Sequence, residues 1–110
     1  MKSPQEKFIA LVIAVEIKLK IHNKKNPILS SQLENEFQIA GSQVRDIIHL
    51  LRRQGLPIAN AGGQSEGYFY ADNYGELEPT LIDLKSREDS MRTTRLAMMK
   101  RFNMHEGLFA

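Results

Sequence analysis

The side chains able to do covalent or metal chemistry are few in this chain of 110 residues, and they are scattered. His22, His49 and His105 lie far apart and form no ligand set at metal-binding spacing. Cysteine is absent, which removes disulfide frameworks, thiolate zinc sites and thiol catalysis together. Gly62-Gly63 lacks the Lys-Ser/Thr pair and the following helix of a phosphate loop, and no Ser-His-Asp or paired-carboxylate pattern stands out. The expectation is no enzyme, with no catalytic residue, no metal and no cofactor. What remains is binding chemistry, carried by polar and cationic side chains. The triplet Tyr68-Phe69-Tyr70 alternates as a strand does, and one of its faces must be core. A tyrosine anchoring a hairpin to the body is favoured over nucleotide stacking.

The elements that position these residues follow from capping and periodicity. Ser3-Pro4-Gln5-Glu6 opens a first helix, with Ser3 as cap, Pro4 at the first helical position and Glu6 as capping-box partner. Phe8, Leu11, Val12, Val15 and Leu19 form one apolar stripe and Ile9, Ile13, Ile17 and Ile21 a second. Such a helix expects two coverings, one from its own domain and one from the C-terminal helix or a second subunit. The alternation from Glu16 to His22 also suits a strand. The helix should end near Asn23 to Asn26, ahead of Pro27, and Pro27-Ile28-Leu29 should be extended. Ser31-Gln32-Leu33-Glu34 reads as a second capping box, opening a short helix that buries Leu33 and Phe37. After a turn at Gln38 to Gly41, a third helix runs to about Gln54, facing Val44, Ile47, Ile48 and Leu51 inward, and Gly55 ends it. Pro57 to Ala61 and Tyr68 to Ala71 then make a hairpin across Gly62 to Gly67.

From Leu33 to Pro57 the chain resembles winged helix-turn-helix bacterial regulators of the biotin-repressor and DeoR type. The matching residues are Leu33, Phe37, Ile39, Val44-Arg45, Ile48 and Leu51-Arg52-Arg53-Gln54-Gly55-Leu56-Pro57-Ile58, and Gly67-Tyr68 resembles the Gly-Tyr that closes the wing. This covers about a third of the chain, and its small size and appended charged helix also look like small prophage-encoded proteins of this type. The resemblance implies an α+β, mainly α fold, with a winged helix-turn-helix domain over residues 1–72 and a C-terminal helix over residues 73–104. It also implies a recognition helix in the major groove of double-stranded DNA. Carried over residue by residue, the base-facing positions are Gly41, Ser42, Gln43 and Arg45, with Asp46 and His49 further along. Gln43 would pair with adenine and Arg45 with guanine, while Arg52 and Arg53 would hold phosphate and Gln64 would sit at the wing tip. The chain departs from the pattern at Ala40, where a capping Ser is common, and at Gly41 and Asp46, where Arg or Lys is common. Ser42 is then an alternative cap that would shorten the reading end of the helix. The wing tip, with Gln64 and Glu66, carries no cation.

The last helix, expected from about Gly75 to Phe102 with Asn73 or Asp72 as cap, presents Leu77, Leu81, Leu84, Glu88, Met91, Arg95, Met98 and Phe102 at spacings of four and three. This is a heptad seam with opposite charges at two core positions, suited to a homodimer whose register Glu88 and Arg95 fix. Folding back on the first helix is the alternative. The apolar tail Gly107-Leu108-Phe109-Ala110 would fray or dock on a neighbour.

Charge limits the nucleic-acid reading. The net charge is +2, and it is unevenly spread: residues 1–25 hold six Lys against two Glu, residues 26–75 three Arg against five acids, and residues 76–110 six of each. The expected reading module is therefore the least basic part. The run from Phe8 to Val15 is followed directly by Glu16, Lys18 and Lys20 and is far short of a bilayer span, so no signal peptide or membrane helix is expected, and with no cysteine a reducing cytoplasm is the expected location. Two functions stay open. One is a dimeric DNA-binding transcriptional regulator or phage or replication accessory factor. The other is a winged-helix protein-protein interaction adaptor.

Overall fold

In the computed structural model, which describes residues 3–62 and 67–102, the order is α1 (Pro4–Lys20), β1 (Ile28–Leu29), α2 (Ser30–Phe37), α3 (Gly41–Arg53), β2 (Ile58–Asn60), β3 (Gly67–Tyr70) and α4 (Tyr74–Lys100). The protein is mainly helical, with one small antiparallel sheet and a long C-terminal helix. It divides into two compact units, Met1–Leu77 and Glu78–Ala110, and the division falls inside α4.

Helix α1 starts where its cap dictates: the Ser3 hydroxyl accepts the Glu6 backbone N–H at 3.1 Å, and Pro4 occupies the first turn. It is helical through Glu16 to Lys20, so the strand alternative for that stretch falls away. It stops at Lys20, earlier than Pro27 alone would require. The Asn23 side chain explains the early stop, because it accepts the N–H groups of Lys25 and Asn26 at 3.0 Å each and closes a turn that competes with the helix. The His22 carbonyl then accepts the Tyr70 N–H at 2.9 Å, fastening this turn to β3.

Helix α2 begins one residue before the expected capping box. Its cap is Leu29, whose N–H donates to the Gln32 side chain at 2.8 Å, while Glu34 instead accepts the Ser30 hydroxyl at 3.0 Å. Gln38 ends α2 in the left-handed region, with φ 53°. That single reversal lets Ile39 turn back toward the core before α3 starts.

The core of the first unit collects Val12, Val15 and Leu19 from α1, Leu33 from α2, Val44, Ile47, Ile48 and Leu51 from α3, and Ile28 and Ile58 from the sheet. Phe37, Ile39, Leu56 and Tyr68 pack on its margin. Each fully buried Leu or Ile contributes about 1.5–3 kcal/mol relative to exposure, which outweighs the weak helix preference of the β-branched residues in α1 and α3. A smaller cluster of Ala59, Phe69 and Ala71, flanked by Ala61 and Leu77, lies on the other face of the β2–β3 ribbon.

The sheet has three strands in the order β1-β3-β2, both pairings antiparallel. The short strand expected at Pro27-Ile28-Leu29 and the two strands of the hairpin join in one sheet, a pairing the sequence does not predict, with Ile28 opposite Tyr68 and Leu29 opposite Gly67. Gly67 suits this pairing, since a Cβ there would come within 3.2 Å of the Ile28 carbonyl oxygen. Helix α4 is capped by Asn73, whose side-chain oxygen accepts the Glu76 N–H at 3.0 Å, and the Glu76 carboxylate accepts the Asp72 N–H at 2.8 Å in return. Pro79 stands inside α4, a feature the heptad pattern conceals.

Candidate nucleic-acid interface

Helix α3 has two unlike sides. Val44, Ile47, Ile48 and Leu51 are buried, whereas Ser42, Gln43, Arg45, Asp46, His49 and Arg53 are all exposed. Ser42, Arg45, Asp46, His49 and Arg53 follow one another at helical intervals, which stacks them along a single solvent-facing stripe. Five of the positions singled out from sequence are thus brought together on one rigid element. Its rigidity comes from the opposite side, where the four apolar residues lock its rotation about its axis.

The N-terminus of α3 is built differently from the expectation. Ala40 is the cap and Gly41 the first helical residue, so Ser42 lies inside the helix and does not cap it. The reciprocal part is taken by Gln43, whose side-chain oxygen accepts the Ala40 N–H at 2.9 Å. A glutamine that pairs with adenine needs both its oxygen and its amide nitrogen, so in this conformation Gln43 has one of the two engaged. The Glu34 carboxylate also lies beside this helix end, 3.5 Å from where a Cβ on Gly41 would stand. It occupies the positive end of the helix dipole, where an anion would otherwise be favoured.

Arg52 and Arg53 separate into two roles. Arg53 is exposed, but Arg52 is half-buried, its Nε donating to the Ile58 carbonyl at 2.9 Å and one Nη to the Asn60 side chain at 3.0 Å. Its guanidinium also stands 6.0 Å from the centre of the Tyr68 ring. Arg52 therefore ties the last turn of α3 to β2 and sets the ribbon beside the helix. No spacing rule links Arg52 to Asn60 or Tyr68, and only the folded ribbon shows that connection. Gln64 lies outside the described residues, as do Glu66 and His105.

The charge on the stripe is small. Arg45 and Arg53 oppose Asp46, and among the described residues none of the three makes an ion pair with another part of the chain. Tyr68 and Tyr70 are half-buried and Phe69 is buried, so the aromatic triplet serves packing, with Tyr68 on the margin of the main core.

On the seam of α4, Leu77 is already used within the first unit, beside Ala59, Phe69 and Ala71. In the second unit Leu81, Glu88, Met91, Arg95, Met98 and Phe102 are exposed and Leu84 is half-buried. Met91, Arg95, Met98 and Met99 share one shallow apolar groove, with the Arg95 guanidinium 3.6 Å from the Met99 sulfur. Asp83–Arg87 and Lys85–Asp89 ion pairs at 2.6 and 2.8 Å run along the helix. The hydrogen bond from Lys85 to Asp89, with the Asp89 charge, holds the Lys85 ammonium above its ordinary range.

Among the described residues, no group of His, Asp or Glu side chains could hold a metal ion, and no helix is long and apolar enough to cross a membrane. Comparison with protein-family models, with curated proteins and with solved structures finds no match to this chain.

Proposed function

We propose that this chain is a winged helix-turn-helix DNA-binding protein of the biotin-repressor and DeoR kind, a cytoplasmic transcriptional regulator or phage or replication accessory factor. Helix α3 is its reading helix and the β2–β3 ribbon its wing. The observation that carries the reading is the exposed stripe Ser42, Arg45, Asp46, His49 and Arg53, set on a helix whose other side is fixed in the core. A helix of this diameter fits the major groove, where Arg45 reads guanine, Asp46 accepts from a cytosine amino group, and Arg53 neutralises phosphate. The exposed part of the α4 seam pairs two subunits, with Glu88 and Arg95 setting the register, so that two reading helices share one site.

A second reading, an adaptor that uses the same face to bind protein, draws on specific observations. The stripe is nearly neutral, Glu34 sits at the N-terminus of α3, and Arg52 is committed to β2. Salt separates the two, because displaced counterions make DNA affinity fall steeply with ionic strength. Fluorescence anisotropy with duplex DNA over a salt series should give affinity that declines on a log-log plot with a slope of about −0.9 for each phosphate neutralised. Absence of binding at low salt, or binding without a slope, would transfer the proposal to the adaptor.

A further inference from the structure

Helix α1 carries a second apolar face that the DNA reading leaves unused. Ile9, Ile13, Ile17 and Ile21 are 58, 52, 62 and 68% exposed, although they are spaced at i, i+4 along a helix whose other side fills the core. A row of isoleucines on one helix face is a surface that water penalises and that a matching ridge would cover.

The ends of the row carry opposite charges. Glu6 lies one turn before Ile9, and Lys20 lies one turn beyond Ile17. Glu6 is exposed and, among the described residues, in no ion pair. Lys20 is exposed and pairs with its helix neighbour Glu16 at 2.9 Å. An ammonium with three donors has room for a second carboxylate.

Ile21 is the residue that caps the helix end, and the three isoleucines within α1, Ile9, Ile13 and Ile17, are symmetric about Ile13. Turning a second copy of α1 end for end about a two-fold axis through that residue sets Ile13 against Ile13, Ile9 against Ile17 and Glu6 against Lys20, each of the last two pairs occurring twice. Parallel pairing would instead set Glu6 against Glu6 and Lys20 against Lys20. We infer that the isoleucine face of α1 is a self-association surface whose occupant is the α1 of a second copy of this chain, antiparallel and centred on Ile13. Ridges at i, i+4 on both helices interlock at a crossing angle of about 50°, which concentrates the contact on Ile9, Ile13 and Ile17. This contact is separate from the α4 seam and does not depend on DNA binding.

The chain has no cysteine, so single cysteines report the geometry directly. Ile13→Cys in the full chain should form a disulfide-linked dimer under mild oxidation, whereas Lys7→Cys, off the row, should not. A mixture of Ile9→Cys and Ile17→Cys chains should cross-link to each other, and Met91→Glu with Met98→Glu should leave the Ile13→Cys dimer in place. In sedimentation equilibrium, Glu6→Lys or Lys20→Glu alone should weaken association about tenfold, and the two together should restore it. All these side chains are exposed, so unchanged melting temperatures will show that the variants fold. Cross-linking at Ile13→Cys no greater than at Lys7→Cys, its loss on altering Met91 and Met98, or a double charge reversal weaker than either single one would overturn the inference.

Discussion

Arg52 and Arg53 are adjacent arginines at the end of one helix, yet their surroundings assign them opposite consequences. Arg52 donates to a backbone carbonyl and a side-chain oxygen of β2 in a half-buried setting, so its removal leaves polar groups without partners. Arg52→Ala should cost about 2–3 kcal/mol of stability in urea unfolding. Arg53 is exposed, and Arg53→Ala should stay within about 0.5 kcal/mol of the parent while weakening DNA binding and lowering the salt slope. Gln43 combines both roles, since its oxygen serves the start of α3 while the side chain as a whole stays exposed. Gln43→Ala is therefore expected to lose stability as well as affinity, and Gln43→Glu, which keeps the accepting oxygen, to lose affinity alone. These distinctions are not legible in the sequence. Adjacent arginines look alike until β2 is placed beside one of them.

At the scale of elements, the caps and apolar intervals are largely legible because they are local. Ser3 with Pro4, Asn73, and the inward set Val44, Ile47, Ile48 and Leu51 all act as their spacing predicts. Gly55 follows α3 at φ +94°, a conformation an L side chain resists, and the space around it is open. Gly55→Ala should therefore destabilise by about 1–2 kcal/mol through the backbone alone, a loss that differential scanning calorimetry measures. What escapes a reading of the sequence is the choice among near-equal local partners. Gln32 rather than Glu34 closes α2, and Ala40 rather than Ser42 caps α3. In both helices a glutamine at the third position accepts the N–H of an apolar cap, a device that a search for Ser or Thr caps does not find. Pairing of β1 with β3 is equally hidden, because a strand of two residues can be expected from the sequence but carries too little pattern to name its partner. The two faces of α1 provide a matched test: Leu19→Ala should cost about 2–5 kcal/mol, and Ile17→Ala close to nothing in the isolated subunit.

Across the whole molecule, the basic residues are not concentrated where the DNA reading needs them. Residues 26–75, which include α2 and α3, hold three Arg against five acids, while the first 25 residues hold six lysines. Arg45 and Arg53 are the exposed arginines of the α3 stripe, so under the proposed DNA reading a single subunit would offer few phosphate contacts there and a second would be needed for affinity. If two subunits bind one site together, the two-cation contact and its salt slope double, and because the pair then binds more tightly than one subunit, conditions that dissociate the subunits should also abolish DNA retention. If the stripe from Ser42 to Arg53 is the surface that meets duplex DNA, amide chemical-shift mapping by nuclear magnetic resonance, with duplex DNA titrated at low salt, should show its largest shifts at Ser42, Arg45, Asp46, His49 and Arg53, fading as salt is added. Shifts confined to α1 or α4, or none anywhere at low salt, would rule that surface out.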